Sequence, residues 1–139
     1  MNRTDLQQLA DVRIAEAQAL LTLPVPMPDG AYYLAGYAVE CALKACIAKG
    51  YGLEAWPEKD FVVKCHTHDI MALVRHAGLE GVWTAIMAAN PAFKGNWTTA
   101  TYWSERSRYK RHALVDAQQL YDAITDAANG VLPWIKAHW

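Results

Sequence analysis

Residues 29–45 read Asp29-Gly-Ala-Tyr-Tyr-Leu-Ala-Gly-Tyr-Ala-Val-Glu-Cys-Ala-Leu-Lys-Ala45. Nothing in this stretch alternates with the period of two that a half-buried strand needs, and alanine is a poor strand former. From Ala31 onward it is apolar nearly all round, the pattern of a central helix packed on several sides. Ala35, Gly36, Ala38, Ala42 and Ala45 carry little or no side chain, so neighbouring helices can come close. Asp29 is placed to cap the start of this helix. Gly50, following Lys49, is placed to end it in the left-handed conformation.

Towards the N-terminus, Thr4 and Gln7 have the spacing of a capping box. Leu6, Leu9, Ala10, Ile14, Ala17, Leu20 and Leu21 then recur at helical intervals and predict a first helix that stops before Pro24. Pro24, Pro26 and Pro28 make a stiff connector, since each fixes φ and lacks an N–H. Towards the C-terminus, residues 50–64 read as a second connector containing Gly52 and Pro57. Thr67 or His68 can cap a short third helix carrying Ile70, Leu73, Val74 and Ala77, stopped by Gly78. Leu79, Val82, Trp83, Ile86 and Met87 predict a further short helix ending at Asn90-Pro91. Residues 91–103 read as irregular. The last helix is expected from about His112, with Leu114, Ala117, Tyr121, Ile124, Ala128, Val131 and Ile135 in phase across a break at Asn129-Gly130 and Pro133. Helix on helix is therefore the expected architecture: one all-α domain, 1–139, built as a compact bundle with few or no strands.

The chain has 139 residues, 53% of them hydrophobic and 19% charged, so it has enough apolar surface to build a core and too little charge to be disordered. Six Trp and seven Tyr admit two readings, an aromatic-rich core or apolar surface covered by a partner. Formal net charge is −1, which carries no signal for nucleic acid, but the distribution is uneven. Between Lys94 and His112 lie Lys94, Arg106, Arg108, Lys110 and Arg111 against the single acid Glu105, a window of net charge +4. Such a patch is either a phosphate site or a solvated face. Three cysteines, Cys41, Cys46 and Cys65, and a polar N-terminus without a leader-like apolar run predict reduced thiols and a cytoplasmic protein. No apolar run is long enough to span a membrane.

Two groups of residues could carry chemistry. On the second helix, Tyr33, Tyr37, Glu40 and Lys44 are spaced four, three and four apart and line one face. Polar tips on an apolar central helix need partners, and a Glu40–Lys44 pair with packed tyrosines is the simplest arrangement that supplies them. The second group is Trp103-Ser-Glu-Arg-Ser-Arg-Tyr-Lys-Arg-His112, at the start of the last helix. Helix amides favour an anion there, guanidinium groups add bidentate phosphate recognition, and an imidazole can move protons near neutral pH. If the segment is α-helical, Arg108 and His112 share a face. Arg106 reaches His112 only if residues 106–110 leave the α-helix. Cys65, His66, His68 and His76 match no structural zinc spacing, so no metal is expected, and neither is a cofactor.

Residues 29–45 resemble the second-helix signature of one branch of the HEPN family. His68-Asp69-Ile70 with Leu73 is similar to the step that opens that branch's third helix, and Trp103, Arg108 and Tyr109 resemble its Trp followed by Arg-Tyr. The resemblance spans residues 29–139 and implies an up-and-down bundle of four to five helices, usually a homodimer. It implies binding of RNA or nucleotide phosphates. In nuclease members of the family an Arg is followed by four to six residues and a His, a spacing that Arg106 and His112 fit. On that pattern His112 is the acid–base residue, Arg106 or Arg108 stabilises charge on phosphorus, and Glu40 orients the arginine. Arg108, Tyr109, Lys110, Arg111, Tyr33, Tyr37 and Lys44 complete the expected nucleotide-binding set. The resemblance leaves two functions open. One is a metal-independent RNase of the toxin–antitoxin kind. The other is a non-catalytic helical module that pairs with a nucleotidyltransferase antitoxin or another partner.

Overall fold

The computed structural model describes residues 1–51 and 59–139 and is all-α, with no strand among the described residues. Among the described residues eight α-helices follow one another: α1 Arg3–Thr22, α2 Pro28–Gly50, α3 Lys59–Cys65, α4 Ile70–His76, α5 Glu80–Ala89, α6 Pro91–Ala100, α7 Leu114–Thr125 and α8 Val131–Lys136. A 3-10 turn, Glu105–Tyr109, stands between α6 and α7. The bundle is thus divided into more and shorter helical segments than the four to five expected. No helix among the described residues is long and apolar enough to cross a membrane.

The apolar run of residues 31–45 is the centre of the bundle. α2 packs against α1 along its length and also touches α4, α7, α8 and the 3-10 turn. Ala35, Ala38, Ala42 and Ala45 are fully buried, as are Ala10 and Ala17 of α1, so small side chains hold the long helices close. The tightest approach is at Gly36. A Cβ placed there would lie 2.2 Å from Cγ of Trp103, well inside van der Waals contact. The buried indole lies over that bare backbone and donates its Nε1–H to the Tyr33 carbonyl at 3.1 Å.

Several caps differ from the expectation. The capping box of α1 is Asn2 with Asp5 rather than Thr4 with Gln7; Asp5 N–H donates to Asn2 Oδ1 at 3.0 Å. Asp29 does not cap α2. Pro28 already occupies the first turn, and Asp29 turns its carboxylate to the far end of the chain, accepting from the His112 N–H and pairing with Arg111. Gly50 is the last residue of α2 and is not left-handed; the one described residue with positive φ is Gly78, at 70° after α4. There the Leu79 N–H reaches back to the Val74 carbonyl, which closes the helix end. Asp69, rather than Thr67 or His68, caps α4 by accepting from Ala72 N–H at 2.9 Å.

Two helices occupy stretches expected to be irregular. Lys59–Cys65 forms α3 inside the expected connector, of which Gly52 and Pro57 lie outside the described residues. Pro91–Ala100 forms α6 because Asn90 caps it, Pro91 suits its first turn, and Phe93, Trp97 and Ala100 bury one face. Phe93, Trp97 and Trp134 pack together with centroids 5.4–6.0 Å apart, so much of the aromatic content is core. The break at Gly130 falls as expected. A Cβ there would meet the Asp126 carbonyl oxygen at 2.3 Å, while Pro133 is accommodated in the first turn of α8. α7 starts at Leu114, leaving His112 in the approach to it.

Gly36→Ala is expected to destabilise the protein by about 2–3 kcal/mol, since the added methyl must displace a buried indole. Gly50→Ala, with open space around it, should be neutral or slightly stabilising. Urea unfolding of the two variants beside the parent protein checks both values.

Candidate functional site

The expected face of α2 exists as a continuous row. Tyr33 and Tyr37 stack with ring centroids 6.0 Å apart, and Cys41 follows Tyr37 one turn along the helix. Burial, and then the neighbouring Cys41, push the Tyr37 phenol above its ordinary value. One turn on, Glu40 is almost wholly buried and its carboxylate is held from two sides. Lys44 Nζ donates at 2.7 Å, and Nδ1 of His68 lies 3.0 Å from both carboxylate oxygens. Glu40 is therefore buried and paired to Lys44, as its place on an apolar helix predicts. It meets no arginine among the described residues, so the group it orients is His68.

His68 precedes α4 and is half exposed, and it lines an open cleft of about 570 Å³. Asp69, Thr101, Trp103, Ser104 and Glu105 form much of the remaining wall, and His66 stands at the same cleft. Glu40 and Lys44 also line a second, more apolar cleft of about 530 Å³ formed with Leu6, Leu9, Phe61 and Cys65. The buried carboxylate thus holds Lys44, which lines the second cleft, and His68, which lines the first.

The basic segment is pinned at both ends. Trp103 is locked over Gly36 at one end, and the carboxylate of Asp29 holds Arg111 and the His112 backbone at the other. Between them the chain makes the 3-10 turn and then runs extended, so the condition that residues 106–110 leave the α-helix is met, and Arg108 and His112 do not share a helical face. Arg106, Arg108, Tyr109, Lys110 and Arg111 are all exposed. The Arg108 guanidinium lies 4.9 Å above the Tyr109 ring, and Tyr109, then Tyr33, strengthen its hold on its proton.

His112 stands elsewhere. Its ring stacks on Tyr32, at a centroid distance of 3.8 Å and an interplanar angle of 7°, and its Nε2 lies 3.2 Å from the Ser107 carbonyl. Tyr32 is one residue before Tyr33 and so points about 100° around the helix from it, into a small cleft of about 270 Å³ with Asp116 and Leu120 of α7. Among the described residues no hydrogen bond or ion pair joins Arg106, His112 and Glu40 to one another. The structure brings together Tyr33, Tyr37, Glu40 and Lys44, and it adds His68, which the sequence offers as a cap, a poor metal ligand and part of the His68-Asp69-Ile70 step. The signal that could have found it is the His68-Asp69-Ile70 step read beside an acid on the apolar second helix, whose carboxylate has room for a second partner besides Lys44.

No group of three or more His, Cys, Asp or Glu among the described residues is arranged to hold a metal ion. Burial pushes the Cys41 thiol up to about 11, with the Glu40 charge adding to it, and burial likewise pushes Cys46 up to about 11. Compared with known proteins, the chain matches no family model, no curated protein and no solved structure. The class of protein defined here is an all-α bundle with a buried carboxylate centre beside an exposed basic segment.

At pH 8 a thiol reagent is expected to modify Cys65 first, because it is partly exposed, while Cys41 and Cys46 stay protonated and shielded until unfolding. Mass spectrometry of a labelling time course distinguishes one fast site from three equal ones. Glu40→Ala should cost about 3 kcal/mol, because it leaves a largely covered lysine and an imidazole without their shared acceptor. Glu40→Gln, which keeps the shape, should cost less, and the two denaturation midpoints should rank in that order.

Proposed function

We propose that this chain is a HEPN-type domain that binds RNA or nucleotide phosphates on the segment 106–111. The observation that carries this reading is the arrangement of Arg106, Arg108, Lys110 and Arg111, four exposed cations on a short segment that passes from a 3-10 turn to an extended run and is fixed at its far end by the Arg111–Asp29 pair. A fixed row of cations loses little conformational freedom when it meets a phosphodiester backbone, and guanidinium groups suit phosphate oxygens geometrically. Tyr109, 78% exposed and beside Arg108, offers a flat surface on which an unpaired base can stack. The HEPN resemblance of residues 29–45, 68–73 and 103–109 points the same way.

A second reading, in which this face also holds a partner, is favoured by the exposed apolar side chains next to the segment. Tyr102, Leu114 and Val115 stand open to solvent there. A second copy of the chain is the first partner to test. A nucleotidyltransferase, the partner that the HEPN resemblance implies for a non-catalytic module, is the second.

Fluorescence anisotropy with a labelled single-stranded RNA should show binding that weakens steeply between 50 and 200 mM salt, since phosphate contacts release counterions. The double variant Arg106→Ala/Lys110→Ala should bind at least about tenfold more weakly at low salt, with a shallower salt slope. Unchanged binding in that variant, or binding insensitive to salt, overturns the reading. Light scattering should give twice the mass of one chain, and Val115→Asp should shift it towards one.

A further inference from the structure

We propose that the apolar cleft between α1, α2 and α3 binds a small monocarboxylate with an apolar body, such as a medium-chain fatty acid, and that Lys44 takes its carboxylate. The inference is independent of the phosphate-binding reading and concerns a different part of the molecule.

The cleft exists because α3 does not close on the bundle. α1 and α2 pack along their length, whereas α3 buries none of its residues. Leu6 and Leu9 of α1, Ile47 of α2, and Phe61 and Val62 of α3 line a space of about 530 Å³. The Phe61 ring lies 5.3 Å from that of Tyr51 and 5.7 Å from that of His76, so α3 is placed by contacts of one aromatic side chain and not by a buried face. A concavity of this size covers most of a small ligand's surface, and each methylene that enters it leaves water.

One part of the lining is polar, and it selects the head group. The Lys44 side chain is 24% exposed and gives one of its three Nζ–H donors to Glu40 at 2.7 Å. The other two have no partner among the described residues. Glu40 is almost wholly buried, and its two oxygens also lie 3.0 Å from Nδ1 of His68, so its charge is shared between two partners and only partly offsets that of Lys44. Burial raises the thiols of Cys41 and Cys65, which line the cleft from α2 and α3, and the Lys44 charge opposes that rise at both. The ammonium charge is therefore felt from both sides of the cleft. Tyr37 and His66, also in the lining, can add hydrogen bonds to a head group.

The sign and size of that head follow. A carboxylate carries one negative charge and accepts with two oxygens, which matches one partly offset ammonium with two unused donors. A phosphate dianion needs more positive charge than one lysine beside a buried carboxylate supplies. A cationic head meets Lys44 as a like charge, and an alcohol gains the apolar contact without the ion pair.

Isothermal titration of the protein with decanoate, decanol and decyltrimethylammonium, each below its micelle-forming concentration, compares three heads on one tail. Decanoate should bind at least about tenfold more tightly than decanol, and decyltrimethylammonium more weakly than either. Lys44→Gln, which keeps a donor for Glu40, should bring decanoate to within about threefold of decanol and leave decanol binding unchanged. Val62→Asp, at a position 38% exposed on α3, should weaken both at least about tenfold. In the parent protein decanoate should slow modification of Cys65 by iodoacetamide, a readout of location that needs no variant to fold. Equal binding of decanoate and decanol, tighter binding of decyltrimethylammonium, or binding of none of the three overturns the inference. So does decanoate binding that Lys44→Gln leaves intact, or that leaves Cys65 fully reactive. Cys65 protection that grows with protein concentration in the absence of ligand makes a second copy of the chain the occupant and overturns it as well.

Discussion

Where α2 passes the indole of Trp103 it carries no side chain, and the aromatic ring takes the space that even a methyl group would need. The contact joins residues 67 positions apart, and the indole N–H bonds the Tyr33 carbonyl one turn earlier. That carbonyl belongs to the helix on which the rest of the bundle packs, so Trp103 fixes the chain between α6 and α7 to the centre of the molecule. Asp29 fixes the same chain a second time, at Arg111 and His112. A basic segment would otherwise be kept mobile by its own charge repulsion. Here it is held at two points, and its cations project from a defined backbone.

The long helices were legible in the sequence because their evidence is local and repeated. An apolar run of helical period over residues 31–45 has no competing structure, and the break at Asn129-Gly130 has a steric cause at one residue. α6 was not legible. Its threonines and Gly95 have weak helix propensity, and the gain that forms it comes from burying Phe93 and Trp97 against Trp134, far along the chain. The caps failed for a related reason. Asp29 has the right chemistry for an N-cap, but Pro28 already needs no amide acceptor, and a carboxylate placed there finds a guanidinium and an amide from residues 111 and 112 instead.

The candidate site divides in the same manner. The spacing of Tyr33, Tyr37, Glu40 and Lys44 gave their shared face directly, because three- and four-residue intervals on a helix admit little else. What completes the face comes from a segment whose approach no periodicity reports. His68 arrives from before α4. His112, placed with Arg106 by counting residues, is drawn instead to Tyr32, because a flat ring stacked at 3.8 Å gains contact area on the side of α7. Counting along a chain locates partners only where the intervening backbone is regular, and residues 105–113 pass from a 3-10 turn to an extended run.

The pairing of Glu40 with Lys44 and His68 also bears on what kind of site this is. Burying a carboxylate costs several kcal/mol of lost hydration, and a close cation with one further hydrogen bond returns about that amount. A leucine or methionine at position 40 would fill the same space beside Leu43 and Val39 without that cost. Stability alone therefore gives no reason for an acid in the centre of α2. A positioning role does. The carboxylate holds Nδ1 of a half-exposed imidazole that lines a cleft, while Lys44 neutralises the charge. An apolar residue could pack as well as Glu40 does, but it could not hold His68 in that orientation.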